Sequence, residues 1–281
     1  MYKNSKWAQK IISLQGSDGS WGYFHTLYGD NPSPYTTEMA LKRLEILGYT
    51  IEDDCIQKAV SYMSSCLSGS KQIPDKAETR VDWSVFASLL LAAWIRRFTH
   101  DDPTANTVAK RWADIIIAAF SHKAYDHRAY LQAYRDTWGK PPMGGRLTDF
   151  AQFYTISAVN GFVGGDSEQR MLRHLIDKPN GIYYTYEKHI GTLPDIFESK
   201  DASRYLGCIE LLAEYPSAKH ELQFVAHWLE SNRNASGGWD MGARAKDGVY
   251  LPLSDSWRIA AAREADCTYR ISKLLSKLLL P

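Results

Sequence analysis

Five acidic residues recur at matching places in this sequence. Glu38 in TTEMALKRL, Asp82 in RVDWSVFAS, Asp149 in LTDFAQFYT, Asp201 in SKDASRYLG and Asp266 in EADCTYRIS each stand where an apolar helical run begins. Acids in the first turn of a helix complement its dipole and cap free N–H groups, worth about 0.3–1 kcal/mol each. That is their plainest role, and Thr36, Thr148 and Ser199 lie near enough to share it. A sharper role follows where aromatic side chains desolvate one or two of the acids. Burial and neighbouring like charge raise a carboxyl pKa and make a proton donor at neutral pH. Binding of a cation or a polar ligand is a third use for the same groups. Trp83, Phe86, Phe153, Tyr154, Tyr205 and Tyr269 follow the acids within a few residues and could line a pocket beside them. Aromatic faces stabilise a carbocation by about 0.5–2 kcal/mol each; aromatics at helical spacing equally well fill a core. Arg204 and Arg270 stand about one turn beyond an acid, which favours an internal ion pair and leaves a carboxylate or diphosphate as the alternative partner.

The elements that must position these groups are helices. Cys55 to Leu67 places Ile56, Ala59, Val60, Met63 and Leu67 on one face, and Lys3 to Leu14, Val108 to Phe120, Gln169 to Ile176 and Glu221 to Leu229 follow the same period. Val81 to Ile95 and Phe150 to Val159 are apolar nearly all round, which suits helices surrounded by others. The two kinds alternate, with a shorter helix near Asp126 to Trp138, and Gly181 to Glu187 is the one stretch that suits a small strand. No Pro-rich or Gly/Ser-rich linker divides the chain. The pattern predicts an all-α fold over residues 1–281 as one domain, an α/α toroid of five to six helical hairpins with broad-faced helices inside and amphipathic ones outside. In such a ring the inner helices run one way, and the five acids share one mouth.

Two glycine turns then explain themselves. LQGSDGSWG carries Trp21 back against the end of the first helix, and SGGWDMG does so with Trp239; Tyr183 in PNGIYY is a third candidate. Glycine supplies the positive φ of the turn, and Gln15 is placed to cap helix-end carbonyls. The Gln15, Gly19, Trp21 pattern and the following SPYTTEMALKRLEILGY resemble one repeat of the prenyltransferase and squalene-cyclase superfamily, the α/α toroid of terpenoid cyclases and protein prenyltransferase β-subunits. Gly237 and Trp239 keep part of that QW motif without its glutamine. The resemblance implies the toroid and an isoprenoid-like small-molecule ligand. The protein-prenyltransferase likeness implies a protein partner that completes the site. The family's Asp-x-Asp-Asp acid has no counterpart in IEDD or THDD. Its Asp-Asp-x-x-Asp magnesium site is absent too. Asp266 and Cys267 lack the downstream histidine of its zinc site. Neither a metal nor a cofactor is therefore assigned.

Other classes are disfavoured. A net charge of +1 gives no bulk attraction to nucleic acid. Cys55, Cys66, Cys208 and Cys267 form no CxxC pair, and no secretory leader precedes the first helix, which reads as a cytoplasmic protein with reduced thiols. Val85 to Ile95 is too short to cross a bilayer. The stripe of Ile271, Leu274, Leu275 and Leu278 is expected to pack on the ring rather than dip into a membrane surface. His25 reads as a structural or exposed loop histidine, and Ser254 as the cap of a helix in LPLSDSWR, with Asp255 and Arg258 paired across its first turn. The favoured function is a terpenoid-cyclase-like isomerase or lyase that binds or cyclises an isoprenoid in a central aromatic pocket, its acid drawn from Asp82, Asp149, Asp201, Asp266 and Glu38. A carbohydrate-active α/α barrel, hydrolase or lyase, fits paired carboxylates and aromatic platforms at a barrel mouth. A non-catalytic binding module fits acids that only cap helices.

Overall fold

Side-chain oxygens set where many of the helices begin. In a computed structural model describing residues 2–26, 29–144 and 147–279, Ser5 caps α1 (Lys6–Ile12) and Thr36 caps α2 (Thr37–Ile46), each accepting from a backbone N–H of the first turn. Next come α3 (Asp54–Leu67) and α4 (Trp83–Phe98), the latter capped by Asp82. Asp102 caps α5 (Pro103–Ala119), whose first residue is a proline that has no N–H to leave unpaired, and Asp126 caps α6 (His127–Trp138). Then follow α7 (Phe153–Val159), α8 (Gly165–Asp177), α9 (Lys200–Leu212, capped by Ser199), α10 (Ala218–Glu221), α11 (Gln223–Ser231) and α12 (Ala260–Leu278). The described residues are all-α. Gly181 to Glu187 makes only isolated bridges, Ile182 with Tyr186 and Tyr183 with Gln152. No helix among the described residues is long and apolar enough to cross a membrane.

Burial follows the two kinds of helix. Every residue of α7 is buried, and α4 buries a run from Leu89 to Arg96, whereas α3, α5 and α8 bury one face. The broad-faced helices meet in sequence. Arg97 of α4 pairs with Glu45 of α2 at 2.6 Å, Arg96 Nε donates to the Ala158 carbonyl of α7 at 2.7 Å, and Arg270 of α12 pairs with Glu210 of α9 at 2.6 Å. The chain's beginning also meets its end. Trp7 Nε1 donates to the Ser254 carbonyl at 3.1 Å, and Arg43 donates to the carbonyls of Val249 and Pro252. Ile271, Leu274, Leu275 and Leu278 are buried as their spacing requires.

The LPLSDSWR segment corrects one expectation. It forms no helix, because Asp266 gathers it: one carboxylate oxygen accepts from the N–H groups of Leu253 and Ser254, from Ser254 Oγ and from Trp257 Nε1. Asp255 does not form the expected turn with Arg258 but accepts from the Lys6 N–H at 2.8 Å. The helix that follows starts only at Ala260, so Asp266 sits two turns inside it rather than at its first turn. Likewise α7 starts at Phe153, leaving Asp149 ahead of the helix.

Candidate functional site

The turn after α1 delivers a histidine to the start of α2. Gly19 adopts φ +93°, and Trp21, fully buried, donates its indole N–H to the Ile11 carbonyl at 2.7 Å while its backbone N–H donates to Thr37 Oγ1. Gln15 donates to the carbonyls of Gly19 and Cys55, so it ties the turn to α3 and leaves the cap of α1 to the tryptophan. The chain then runs through Phe24, His25 and Thr26, whose N–H groups all point at one carboxylate, the buried Asp75. Three donors on one anion fix this segment, and His25 with it.

His25 Nδ1 lies 2.8 Å from Glu38 Oε2, in the first turn of α2. Glu38 also accepts from Tyr154 OH of α7 at 2.9 Å and from Trp94 Nε1 of α4 at 3.0 Å. Tyr154 OH is 3.0 Å from His25 Nδ1, and Tyr184 OH is 3.3 Å from Nε2, with Glu78 Oε1 at 3.9 Å from the same nitrogen. Phe86, Tyr154 and Tyr184 present ring edges to the imidazole at centroid distances of 5.7, 6.0 and 5.5 Å. Burial works against a charge on Glu38. The hydrogen bond and charge of His25, joined by the Tyr154 and Trp94 donors, outweigh it and hold the carboxyl below the usual range. Glu38 is therefore an ionised acceptor and not a proton donor. In the tautomer that carries its proton on Nδ1, His25 donates to this carboxylate and turns Nε2 toward Tyr184 OH.

The cluster opens on a cavity of about 470 Å³. Trp7, Ile11, Met39, Phe153 and Pro252 make most of its wall apolar, and His25, Glu38, Tyr154 and Tyr184 stand at its polar side. A volume of this size falls in the roughly 300–1,000 Å³ of small-molecule sites. A second cavity of about 140 Å³ draws on α2, α4, α7, α9 and α12 together, and shares Lys42 and Phe153 with the first. Among the described residues no group of His, Cys, Asp and Glu has the arrangement of a metal site.

Of the five acids, the structure brings only Glu38 to this cavity. Asp82 pairs with Lys140 and caps α4; Asp149 pairs with Lys178 at 2.6 Å; Asp201 accepts from Lys188 at 2.6 Å and from Tyr186 OH. Asp266 is the loop anchor described above. Among the predicted aromatics, Phe153 and Tyr154 line the larger cavity and Tyr269 the smaller one. Phe86 is buried behind His25, and Trp83 tilts against Phe86 at 6.1 Å. Tyr205 is a core residue, its hydroxyl bonded to the Ile190 carbonyl. Arg204 is exposed, and Arg270 faces the small cavity in its ion pair with Glu210. Around Glu38 the structure gathers His25, which the sequence read as a structural or exposed loop histidine, and Asp75, Trp94 and Tyr184, which the sequence did not single out. Only His25 had a local signal, its place just after the first Trp turn; the others join it from 50 or more residues away. Compared with known proteins, the chain matches no family model, no curated protein and no solved structure.

Proposed function

We propose that the helices close into an α/α toroid and that the chain is an enzyme that removes a proton from a largely apolar, isoprenoid-like ligand. The observation that carries the reading is the Glu38–His25–Tyr184 line of polar groups on the wall of a mostly apolar cavity that Lys42, Arg43 and Lys246 also line. The circular order of contacts α2, α4, α7, α9, α12, with the loop before α12 returning to α2, supports the ring. With Nδ1–H held by the Glu38 carboxylate, the Nε2 lone pair accepts a proton handed on by Tyr184. An allylic C–H bond of the ligand breaks, its proton passes through Tyr184 to His25 and its electron pair forms the new double bond, while the pair of the old double bond takes a proton at its far carbon, returned by the same relay, so positive charge develops where that protonation runs ahead of C–H cleavage. The edges and faces of Phe153, Tyr154 and Tyr184 support positive charge that develops on the ligand. Such a proton shift is the reaction of an isomerase, and the reading gives the acid–base work to His25 where the sequence pointed to the helix-start acids.

Thermal unfolding against polyprenyl alcohols and diphosphates, with and without magnesium, and against uronate oligosaccharides identifies the ligand class; saturation at about 100 times Kd adds roughly 2.7 kcal/mol. Incubation of the stabilising polyprenyl compound in deuterated water then reads proton transfer by mass. The expected result is deuterium exchange or product formation that falls by about 10²–10⁴-fold in His25→Ala, with the ligand-induced stabilisation retained. Equal exchange in both proteins removes the reading. Stabilisation by uronates alone replaces it with the carbohydrate-active barrel.

A further inference from the structure

A further cavity, of about 510 Å³, shares no wall residue with the two already described. It forms where the chain leading into α7 meets the turn that follows α8. Two backbone bonds hold these stretches together: the Tyr183 N–H donates to the Ala151 carbonyl at 3.0 Å, and the Phe153 N–H donates to the Tyr183 carbonyl at 3.1 Å. The wall is polar. Asp149, Gln152, Lys178 and Asn180 line it together with the half-buried Tyr183 and the exposed Glu187. Asp149 is already engaged, one carboxylate oxygen pairing with Lys178 at 2.6 Å and the other accepting from the Ala151 N–H at 2.9 Å. Gln152 differs. It is only 1% exposed, and neither the oxygen nor the nitrogen of its side-chain amide has a hydrogen-bond partner among the described residues. The backbone beside it is occupied: its N–H bonds the Phe150 carbonyl, and its carbonyl takes the Ile156 N–H. Buried polar groups are nearly always satisfied, so an amide bare at both ends marks a missing partner.

We propose that this cavity is a second ligand site, separate from the one beside His25, and that it takes a neutral sugar of one or two rings. The bare amide selects the class. Its nitrogen needs an acceptor and its oxygen needs a donor. An ammonium ion brings donors only. A carboxylate or phosphate brings acceptors only, and meets the Glu187 and Asp149 carboxylates on the same wall. A hydroxyl group does both. Several hydroxyls on one ring reach the amides of Gln152 and Asn180 and the carboxylate of Glu187 together, while the C–H face of the ring lies against the Tyr183 side chain. The volume falls in the roughly 300–1,000 Å³ of small-molecule sites. The inference does not depend on the reaction proposed for His25.

Calorimetric titration of the full chain with glucose, galactose, mannose, maltose and cellobiose tests it. Glucuronate serves as the charged counterpart, and ethylammonium and acetate as ions without a hydroxyl. The expected result is saturable binding of at least one neutral sugar, about tenfold or more tighter than glucuronate or either ion. Gln152→Met keeps the length of the side chain and removes the amide. It is expected to weaken that sugar about tenfold or more and, with no sugar present, to raise the unfolding midpoint, because the free protein leaves the amide unpaired. A merely structural glutamine would lower the midpoint. Asn180→Ala, at an exposed position, is expected to weaken the sugar about two- to tenfold with the midpoint unchanged, and tests the site without disturbing the core. The proposal is overturned if no neutral sugar binds, or if glucuronate, ethylammonium or acetate binds as tightly as the best of them. Sugar binding that survives both variants overturns it as well, and so does a lowered midpoint in Gln152→Met, which means that the protein itself satisfies the amide.

Discussion

The two tryptophan turns share a backbone and differ in what they carry. In the first, Gln15 donates to the Gly19 carbonyl, Gly16 N–H to Ser20, Gly19 N–H to Gly16, and the Trp21 indole to Ile11. In the second, Arg233 donates to the Gly237 carbonyl, Asn234 N–H to Gly238, Gly237 N–H to Asn234, and the Trp239 indole to Leu229. Each tryptophan N–H then bonds a threonine of the helix that follows. Only the first turn delivers a histidine, and only its helix has a carboxylate directly after the threonine: the residue after Thr37 is Glu38, and the residue after Thr268 is Tyr269. One frame thus carries two different sets of polar residues, and the proposed chemistry rests on the few that the first turn adds to it.

The largest effect expected from breaking this comparison is loss of either indole. Trp21→Ala and Trp239→Ala each empty a buried site and strip a helix-end carbonyl, costing about 3–5 kcal/mol in denaturant unfolding. A similar cost in both supports equivalence of the turns; a cost in one alone breaks it. The turn glycines come next and should differ. Both need positive φ, but a Cβ on Gly19 would sit 2.4 Å from the Lys58 carbonyl oxygen, whereas one on Gly237 meets nothing within 4 Å. Gly237→Ala is expected to cost about 1–2 kcal/mol, the strain of the left-handed conformation, and Gly19→Ala clearly more, measured by the same unfolding curves.

The pH dependence of stability sharpens the contrast between Glu38 and Tyr269. The folded Glu38 carboxyl lies below its ordinary value of 4.5, so the unfolded chain binds more protons as the pH falls. Its contribution is complete above that value and is lost as the pH falls through the folded range. Glu38→Gln should therefore flatten the acid limb of the stability curve. Tyr269→Phe should leave that limb unchanged and move stability by no more than about 0.5 kcal/mol. An unchanged acid limb in Glu38→Gln means that the His25 contact does not hold the carboxylate. The smallest effect is expected from Arg233→Gln, which restores the glutamine of the first turn while giving up the guanidinium stacked 4.2 Å from Trp239. A change within about 1 kcal/mol matches an exposed cation–π contact; a much larger loss means the second turn has come to depend on its arginine.

The register of the repeat explains why the ring of acids was only partly legible. Lining up the apolar runs sets Glu38 beside Asp266, yet the threonines that receive the tryptophan N–H bonds set Glu38 beside Tyr269, three residues away. A shift of three keeps a helix face nearly unchanged, because three and four residues both make about one turn. Apolar periodicity therefore tolerates the error, while a single polar group does not.

By itself the sequence determined the helices, their alternation of broad and narrow apolar faces, the caps at Thr36, Asp82 and Ser199, and the two tryptophan turns. These are local: propensity, period and a side chain within reach of its own first turn decide them. Only the tertiary structure decided what each acid meets. Asp82, Asp149 and Asp201 meet lysines, Asp266 meets a loop, and Glu38 meets His25, Tyr154 and Trp94. A carboxylate's task is set by the charges and donors around it, and those arrive from distant parts of the chain.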